Sequence, residues 1–242
     1  MGSVNARDRL ILALDVPSAD EAERLMDRVE GSVRFVKIGL ELYTAAGPQI
    51  VRRATALGKR VFLDLKFLDI EETVKRATAC VAELGVEFLT VHANRKVLRA
   101  AVEARDERRP ATNLKILAVT VLTNFDSGDL RDMGIQWTVA DLVTARAKLA
   151  REMGGDGVIA SGQEPAAIRR EVVDPFLIVT PGIRPAGKGV DDHARSASPL
   201  QAIKAGADYL VVGRPIRDAS DPRLAAEAIV GEMQTAFDAR GW

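Results

Sequence analysis

Short runs rich in Val, Ile and Leu alternate with longer stretches of helical periodicity along the whole chain. The short runs are LILALDV (10–16), FVKIG (35–39), VFLDLKF (61–67), FLTVHA (88–93), KILAVTVLT (115–123), GVIASG (157–162), FLIVTPGI (176–183) and YLVVGRPI (209–216). They are nearly continuous in apolar residues rather than alternating, as strands covered on both faces are. Between them, amphipathic patterns predict helices over 19–30, 41–57, 71–84, 95–106, 138–153, 164–171, 199–205 and 221–239. Ser18 and Ser198 stand where N-caps belong, and Gly58, Gly85 and Gly206 where helices should end. Eight strand–helix units predict a (β/α)8 TIM barrel. An open doubly wound sheet would need a switch point and usually has fewer strands.

The 242 residues suit one such barrel, and no linker, low-complexity block or shift of composition divides them. The expectation is therefore a single domain over 1–242. Two irregular stretches, 124–137 and 184–197, follow predicted strands. They belong at the C-terminal face, where barrels place their chemistry.

Composition narrows the function classes. Apolar residues make up 47% and charged residues 28%, and the 34 Lys and Arg balance the 34 Asp and Glu. Zero net charge argues against a broad nucleic-acid-binding face, while leaving room for a local anion site. No run of 18 uncharged apolar residues predicts a membrane span. The run LILALDV contains Asp15 and lacks a small-residue cleavage site, so no signal peptide is expected and the cytoplasm is the expected compartment. The one cysteine, Cys80, reads as a small buried apolar residue of a helix. Trp137 and Trp242 read as packing residues, and EARDERR (103–109) as a solvated helix end.

The candidate chemistry lies in polar residues set in or just after the apolar strands: Asp15, Lys37, Asp64, Lys66, Asp69, His92, Thr123 and Arg214. A buried unpaired charge is expensive, so such residues are paired or functional. Asp64 and Lys66 are two apart and share one strand face, and Lys37 on the preceding strand can lie beside them. An alternating Lys/Asp cluster keeps a lysine protonated and aimed while a fixed carboxylate faces the reacting group. It can repel a substrate carboxylate and protonate the carbon left behind. His92, at the end of strand four, reads as a hydrogen-bonded histidine of the barrel mouth. Neither it nor His193 has an i+4 His partner, and the aspartates alternate with lysines, so no metal site is predicted. A second constellation is phosphate-directed: TPGIRPAGKG (180–189) follows strand seven and VVGRP (211–215) ends strand eight, the usual phosphate-binding loops of barrels. Gly213 would let backbone N–H groups approach an anion, and Arg214 would pair with its oxygens.

At these residues the chain resembles the orotidine 5′-monophosphate decarboxylase family of the bacterial type. The likeness runs from RLILALDV to VVGRPI, and its most specific element is D-x-K-x-x-D-I-x-x-T: Asp64, Lys66, Asp69, Ile70 and Thr73. The resemblance implies decarboxylation of orotidine 5′-monophosphate to UMP without cofactor or metal, with Lys66 protonating C6 and Asp64 pressing on the substrate carboxylate. It implies a homodimer in which Asp69, Ile70 and Thr73 enter the partner's site and Asp69 completes an array with Lys37, Asp64 and Lys66. Asp15 and Lys37 would hold the ribose, Thr123 would sit near the pyrimidine edge, and Arg184, His193, Gly213 and Arg214 would grip the phosphate.

The chain departs from the family pattern at Leu68 (usually His), Glu71 (usually Pro), His193 (often Gln), and Asn94 and Arg95 (usually small). Glu71 and Glu72 read as complementing the dipole of the helix they open. Two rival readings use the same barrel: a magnesium-dependent phosphosugar enzyme sharing D-x-K-x-x-D, and a catalytically idle nucleotide binder.

Overall fold

A computed structural model describes residues 4–185 and 197–240. Eight strands form a closed parallel barrel in sequence order: β1 (Leu10–Ala13), β2 (Phe35–Gly39), β3 (Arg60–Phe67), β4 (Phe88–His92), β5 (Lys115–Val119), β6 (Gly157–Ile159), β7 (Leu177–Thr180) and β8 (Tyr209–Val212). The helices are α1 (Ala19–Arg28), α2 (Leu40–Ala46), α3 (Gln49–Ala56), α4 (Glu71–Glu83), α5 (Arg95–Asp106), α6 (Ser127–Asp132), α7 (Val139–Glu152), α8 (Pro165–Glu171), α9 (Pro199–Ala205), α10 (Arg214–Arg217) and α11 (Pro222–Ala239). Among the described residues no helix is long and apolar enough to cross a membrane.

Strand parity sorts side chains between two cores. Phe35, Phe62, Phe88, Leu117, Ile159, Val179, Tyr209 and Val211 fill the barrel interior, while the intervening residues pack under the helices. Phe88 is the hub: its ring meets Phe35, Phe62 and Tyr209 edge-on at centroid distances of 5.0, 5.9 and 5.1 Å. Each such edge-on pair contributes about 0.5–1.5 kcal/mol beyond burial. This aromatic plug fills the barrel below its C-terminal mouth. At the opposite end, Asp156 pairs with Arg105 and accepts the Ile116 N–H at 2.8 Å. Asp208 repeats the arrangement with Arg169 and the Ile178 N–H at 2.7 Å. Gly157 is required by close approach, since a Cβ there would lie 2.3 Å from the Leu177 carbonyl oxygen.

The predicted caps are present: the Ser18 hydroxyl accepts from Glu21 N–H, Ser198 forms a capping box with Gln201, and Gly206 ends α9 at φ +119°. Several expectations are corrected. The segment 41–57 is two helices, broken where Gly47 takes φ +64° ahead of Pro48. The stretch 124–137 contains α6, started by an Asp126–Asp129 capping box. Cys80 is exposed, because α4 buries Val74, Thr78, Val81 and Ala82 and turns Cys80 away. Trp137 is 56% exposed on the connection before α7, and Trp242 lies outside the described residues. Within EARDERR, Arg105 is buried, because Asp156 and Asp106 neutralise it beneath the barrel.

Candidate functional site

The mouth of the barrel holds a cavity of about 480 Å³ whose two sides differ in chemistry. Asp15, Lys37, Asp64 and Lys66 line one side, from the ends of β1, β2 and β3. Val119, Val121, Leu122 and Ile159 form an apolar wall opposite, with Thr123 at its rim, and Arg184, Gly213, Arg214 and Arg217 close the end formed by β7 and β8.

The charged side is a continuous line. Lys37 Nζ lies 2.9 Å from Asp15 Oδ1 and 3.6 Å from Asp64 Oδ2, and Lys66 Nζ lies 2.9 Å from the same Asp64 oxygen. Burial alone would push the Lys37 amine down and the Asp64 carboxyl up, yet both move the other way. Asp64 and Asp15 hold Lys37 above its ordinary value, and Lys37 and Lys66, with the Thr90 hydroxyl, hold Asp64 below the usual carboxylate range. Lys37 and Asp64 therefore stay ionised across the neutral range.

Local backbone places these groups. Parity with Phe62 turns Asp64 and Lys66 inward, and β3 bulges where they stand: Leu63 pairs with Leu89 and Phe67 with Val91, so the three residues 64–66 oppose Thr90 alone. Lys66 takes φ +50°, the one positive φ at a non-glycine position among the described residues, and a side chain there costs about 1–2 kcal/mol. This strained residue aims its ammonium into the cavity. Gly39 leaves room for the neighbouring pair, since a Cβ there would stand 3.1 Å from Lys37 Nζ and 3.4 Å from Asp15 Oδ1.

The predicted residues divide into three groups. Asp15, Lys37, Asp64, Lys66, Thr123, Arg184, Gly213 and Arg214 all line the cavity. Asp69, Ile70 and Thr73 do not line it; all three are exposed, and the Asp69 carboxylate accepts the N–H of Ile70 at 2.7 Å at the start of α4. His193 lies outside the described residues. His92 is half-buried beside a second hollow that it lines with Arg146, and no hydrogen bond is made by its ring among the described residues, in contrast to the expected hydrogen-bonded histidine. Burial, Arg146 and Lys66 hold its imidazole below the ordinary value. Sequence reasoning missed Thr90, Gly39 and Arg217. Arg217 lines the cavity and donates to the Asp15 carbonyl at 2.6 Å. The signal for Thr90 was strand parity, two residues after Phe88 on the inward face of β4.

A family model described as "Orotidine 5'-phosphate decarboxylase / HUMPS family" matches residues 8–229. The chain belongs to this family. Orotidine 5'-phosphate decarboxylase of Methylobacterium sp. (strain 4-46) is 51% identical over 230 residues, which are 95% of this chain and 97% of that protein. The protein of the same description from Rhodopseudomonas palustris (strain BisA53) is 50% identical over 95% of this chain and 96% of its own length. Among solved structures, orotidine 5'-phosphate decarboxylase from Lactobacillus acidophilus superposes with a TM-score of 0.84 at 36% identity, covering 93% of this chain and 99% of the other. The family likeness spans the barrel and the whole described site, so the strained Lys66 and its carboxylate partner lie within the matched region.

Among the described residues, no group of three His, Cys, Asp or Glu side chains is placed to hold a metal ion. Both Asp64 oxygens are engaged, one by the two ammonium groups and the other by the Thr90 hydroxyl at 2.9 Å.

Proposed function

We propose that this chain is a carboxy-lyase converting orotidine 5′-monophosphate to UMP and carbon dioxide, the last step of pyrimidine nucleotide synthesis, in the cytoplasm and as a homodimer. The observation that supports this reading is the line of ion-pair contacts Asp15–Lys37–Asp64–Lys66 ending inside a cavity whose far end is cationic. A dianionic phosphate suits Arg184 and Arg214 at that end, with Gly213 beside them. The apolar wall suits the pyrimidine face, with Thr123 at its edge, and Asp15 and Lys37 suit the ribose hydroxyls.

The substrate carboxylate then faces Asp64, a carboxylate held ionised by its neighbours. The bond between C6 and the carboxylate carbon breaks, the electron pair stays on C6, and carbon dioxide leaves. Lys66 Nζ delivers a proton to C6 and is reprotonated from solvent. The preorganised ammonium meets the charge as it develops, which is where electrostatic stabilisation is most effective. This chemistry asks for no metal or organic cofactor.

The exposed Asp69, Ile70 and Thr73 serve the partner's cavity in this reading. Asp69 leaves β3 three residues beyond the inward-pointing Lys66, so a two-fold pairing of the two mouths can exchange these residues reciprocally.

The test is conversion of orotidylate to UMP by purified protein with a chelator present, beside the Lys66→Ala variant. The account expects turnover that the chelator leaves unchanged and that falls by several powers of ten in the variant. No turnover by folded wild-type protein overturns it, and loss of activity to chelator favours a magnesium-dependent phosphosugar enzyme of the same family.

A further inference from the structure

The β3 bulge at residues 64–66 leaves a problem that one side chain solves. Where three β3 residues oppose Thr90, the regular ladder is interrupted, and a side chain of β4 answers the Lys66 N–H. The Thr90 hydroxyl accepts that N–H at 3.0 Å and donates its own proton to Asp64 Oδ1 at 2.9 Å. A hydroxyl has one proton to give, and here it goes to the carboxylate. The other Asp64 oxygen faces Lys66 Nζ at 2.9 Å, closing a ring from the main chain of Lys66 through Thr90 and Asp64 back to the Lys66 ammonium. Thr90 is fully buried, between the aromatic plug below and the charged mouth above.

We propose that Thr90 is a positioning residue: its hydroxyl fixes both the left-handed main chain of Lys66 and the orientation of the Asp64 carboxylate, and so sets the geometry of the reacting pair. Asp64 could otherwise rotate about its terminal torsion, which is broad for a carboxylate. Rotation would move its charge off the line joining the two lysines and let it swing away from an incoming substrate carboxylate. Lys66 would lose a bond that holds its N–H in a conformation L-residues avoid. Thr90 touches neither carbon nor carboxylate of the substrate in this role. It acts through two groups that do.

The kinetic arm of the test rests on the decarboxylase reading, so a second arm reads the geometry directly. Thr90→Val keeps the shape and removes the hydroxyl, Thr90→Ser keeps the hydroxyl and removes the methyl, and Thr90→Cys supplies a weak donor and acceptor. Losing a buried hydrogen bond to a charged group predicts that kcat falls by about 10- to 100-fold in the valine variant. The KM for orotidylate should stay within about threefold, because the cationic end of the cavity is untouched. Serine should keep kcat within about threefold of wild type, with cysteine between serine and valine. Amide hydrogen exchange at Lys66, followed by NMR, should be at least about tenfold faster in Thr90→Val than in wild type or Thr90→Ser.

A valine variant with wild-type kcat, or a serine variant as impaired as valine, overturns the proposal. Unchanged exchange at Lys66 does so as well, even for a chain without orotidylate turnover. Should the valine variant not fold, the ratio of serine to cysteine decides: kcat and exchange rates equal in the two variants overturn the proposal, and a graded loss upholds it.

Discussion

Replacing Asp64 by asparagine removes one charge and almost no volume from the centre of the array. The carboxylate lies 2.9 Å from Lys66 Nζ and 3.6 Å from Lys37 Nζ. At an effective dielectric constant of about 20 these contacts are worth about 6 and 5 kcal/mol before the cost of burial is set against them. Much of this is offset, since Lys66 is 30% exposed and Lys37 keeps Asp15 at 2.9 Å. A net loss of stability of roughly 1–3 kcal/mol is expected, below the range for fully buried pairs left with one unpaired partner. That loss carries a pH signature. The folded-state carboxyl sits below its ordinary value of 3.8, so its contribution is present above that pH and vanishes as pH falls through the lower folded value. The stability gap between wild type and Asp64→Asn should close in acid.

The catalytic loss should be larger, because the variant also removes the negative charge facing the substrate carboxylate: kcat/KM falling by about 10²–10⁴. Binding separates this from general damage. UMP, which has no carboxylate at C6, should bind within about threefold of wild type. In a Lys66→Ala background, which stops turnover, orotidylate should bind more tightly once Asp64 is asparagine. Turnover within tenfold of wild type would falsify the assignment, as would parallel weakening of both ligands.

Two further outcomes follow from groups outside the array. His92 is held below its ordinary value of 6.5, so it is neutral at pH 7 and contributes no titration to activity between pH 7 and 8. His92→Gln should therefore keep kcat/KM within about threefold with the same pH profile, and the disappearance of a limb near pH 7 in the variant would contradict the neutral imidazole. At the barrel foot, Arg105→Ala leaves Asp156 facing a buried guanidinium vacancy, with Arg109 at 3.7 Å as a more exposed neighbour. Scanning calorimetry should show a loss of about 3 kcal/mol, roughly 6–12 °C in Tm, with KM unchanged. An unchanged Tm would show that Arg109 takes over the pairing.

The strands and the charged side of the cavity were legible in the sequence because both rest on strict regularities. Parity placed Asp64 and Lys66 on one face, and consecutive parallel strands brought Lys37 beside them. Loops and boundaries were less legible. The Gly47–Pro48 break lies inside an amphipathic run whose period continues across it. α6 begins at an Asp126 cap within a polar stretch that reads as loop. Arg105 sits in a run of charges, and only the tertiary position of Asp156, 51 residues away, explains its burial. Thr90 was missed because a threonine in a strand is ordinary by propensity. Its importance comes from a bulge on the neighbouring strand that no local pattern announces. Asp69, Ile70 and Thr73 were singled out through the family motif alone, and on the single chain all three are exposed.

Subunit mixing tests the shared decarboxylase site most directly. Lys66→Ala and Asp69→Ala proteins, each inactive with orotidylate, are combined and allowed to exchange, with heterodimers counted by native mass. In each heterodimer of a shared-site enzyme, one cavity carries both defects and the other carries neither. Random exchange makes about half the dimers mixed, each with one good site of two, so about a quarter of wild-type activity should return. If Lys66 and Asp69 serve the same cavity of one chain, every site keeps a defect; confirmed exchange with no recovered activity would contradict the account.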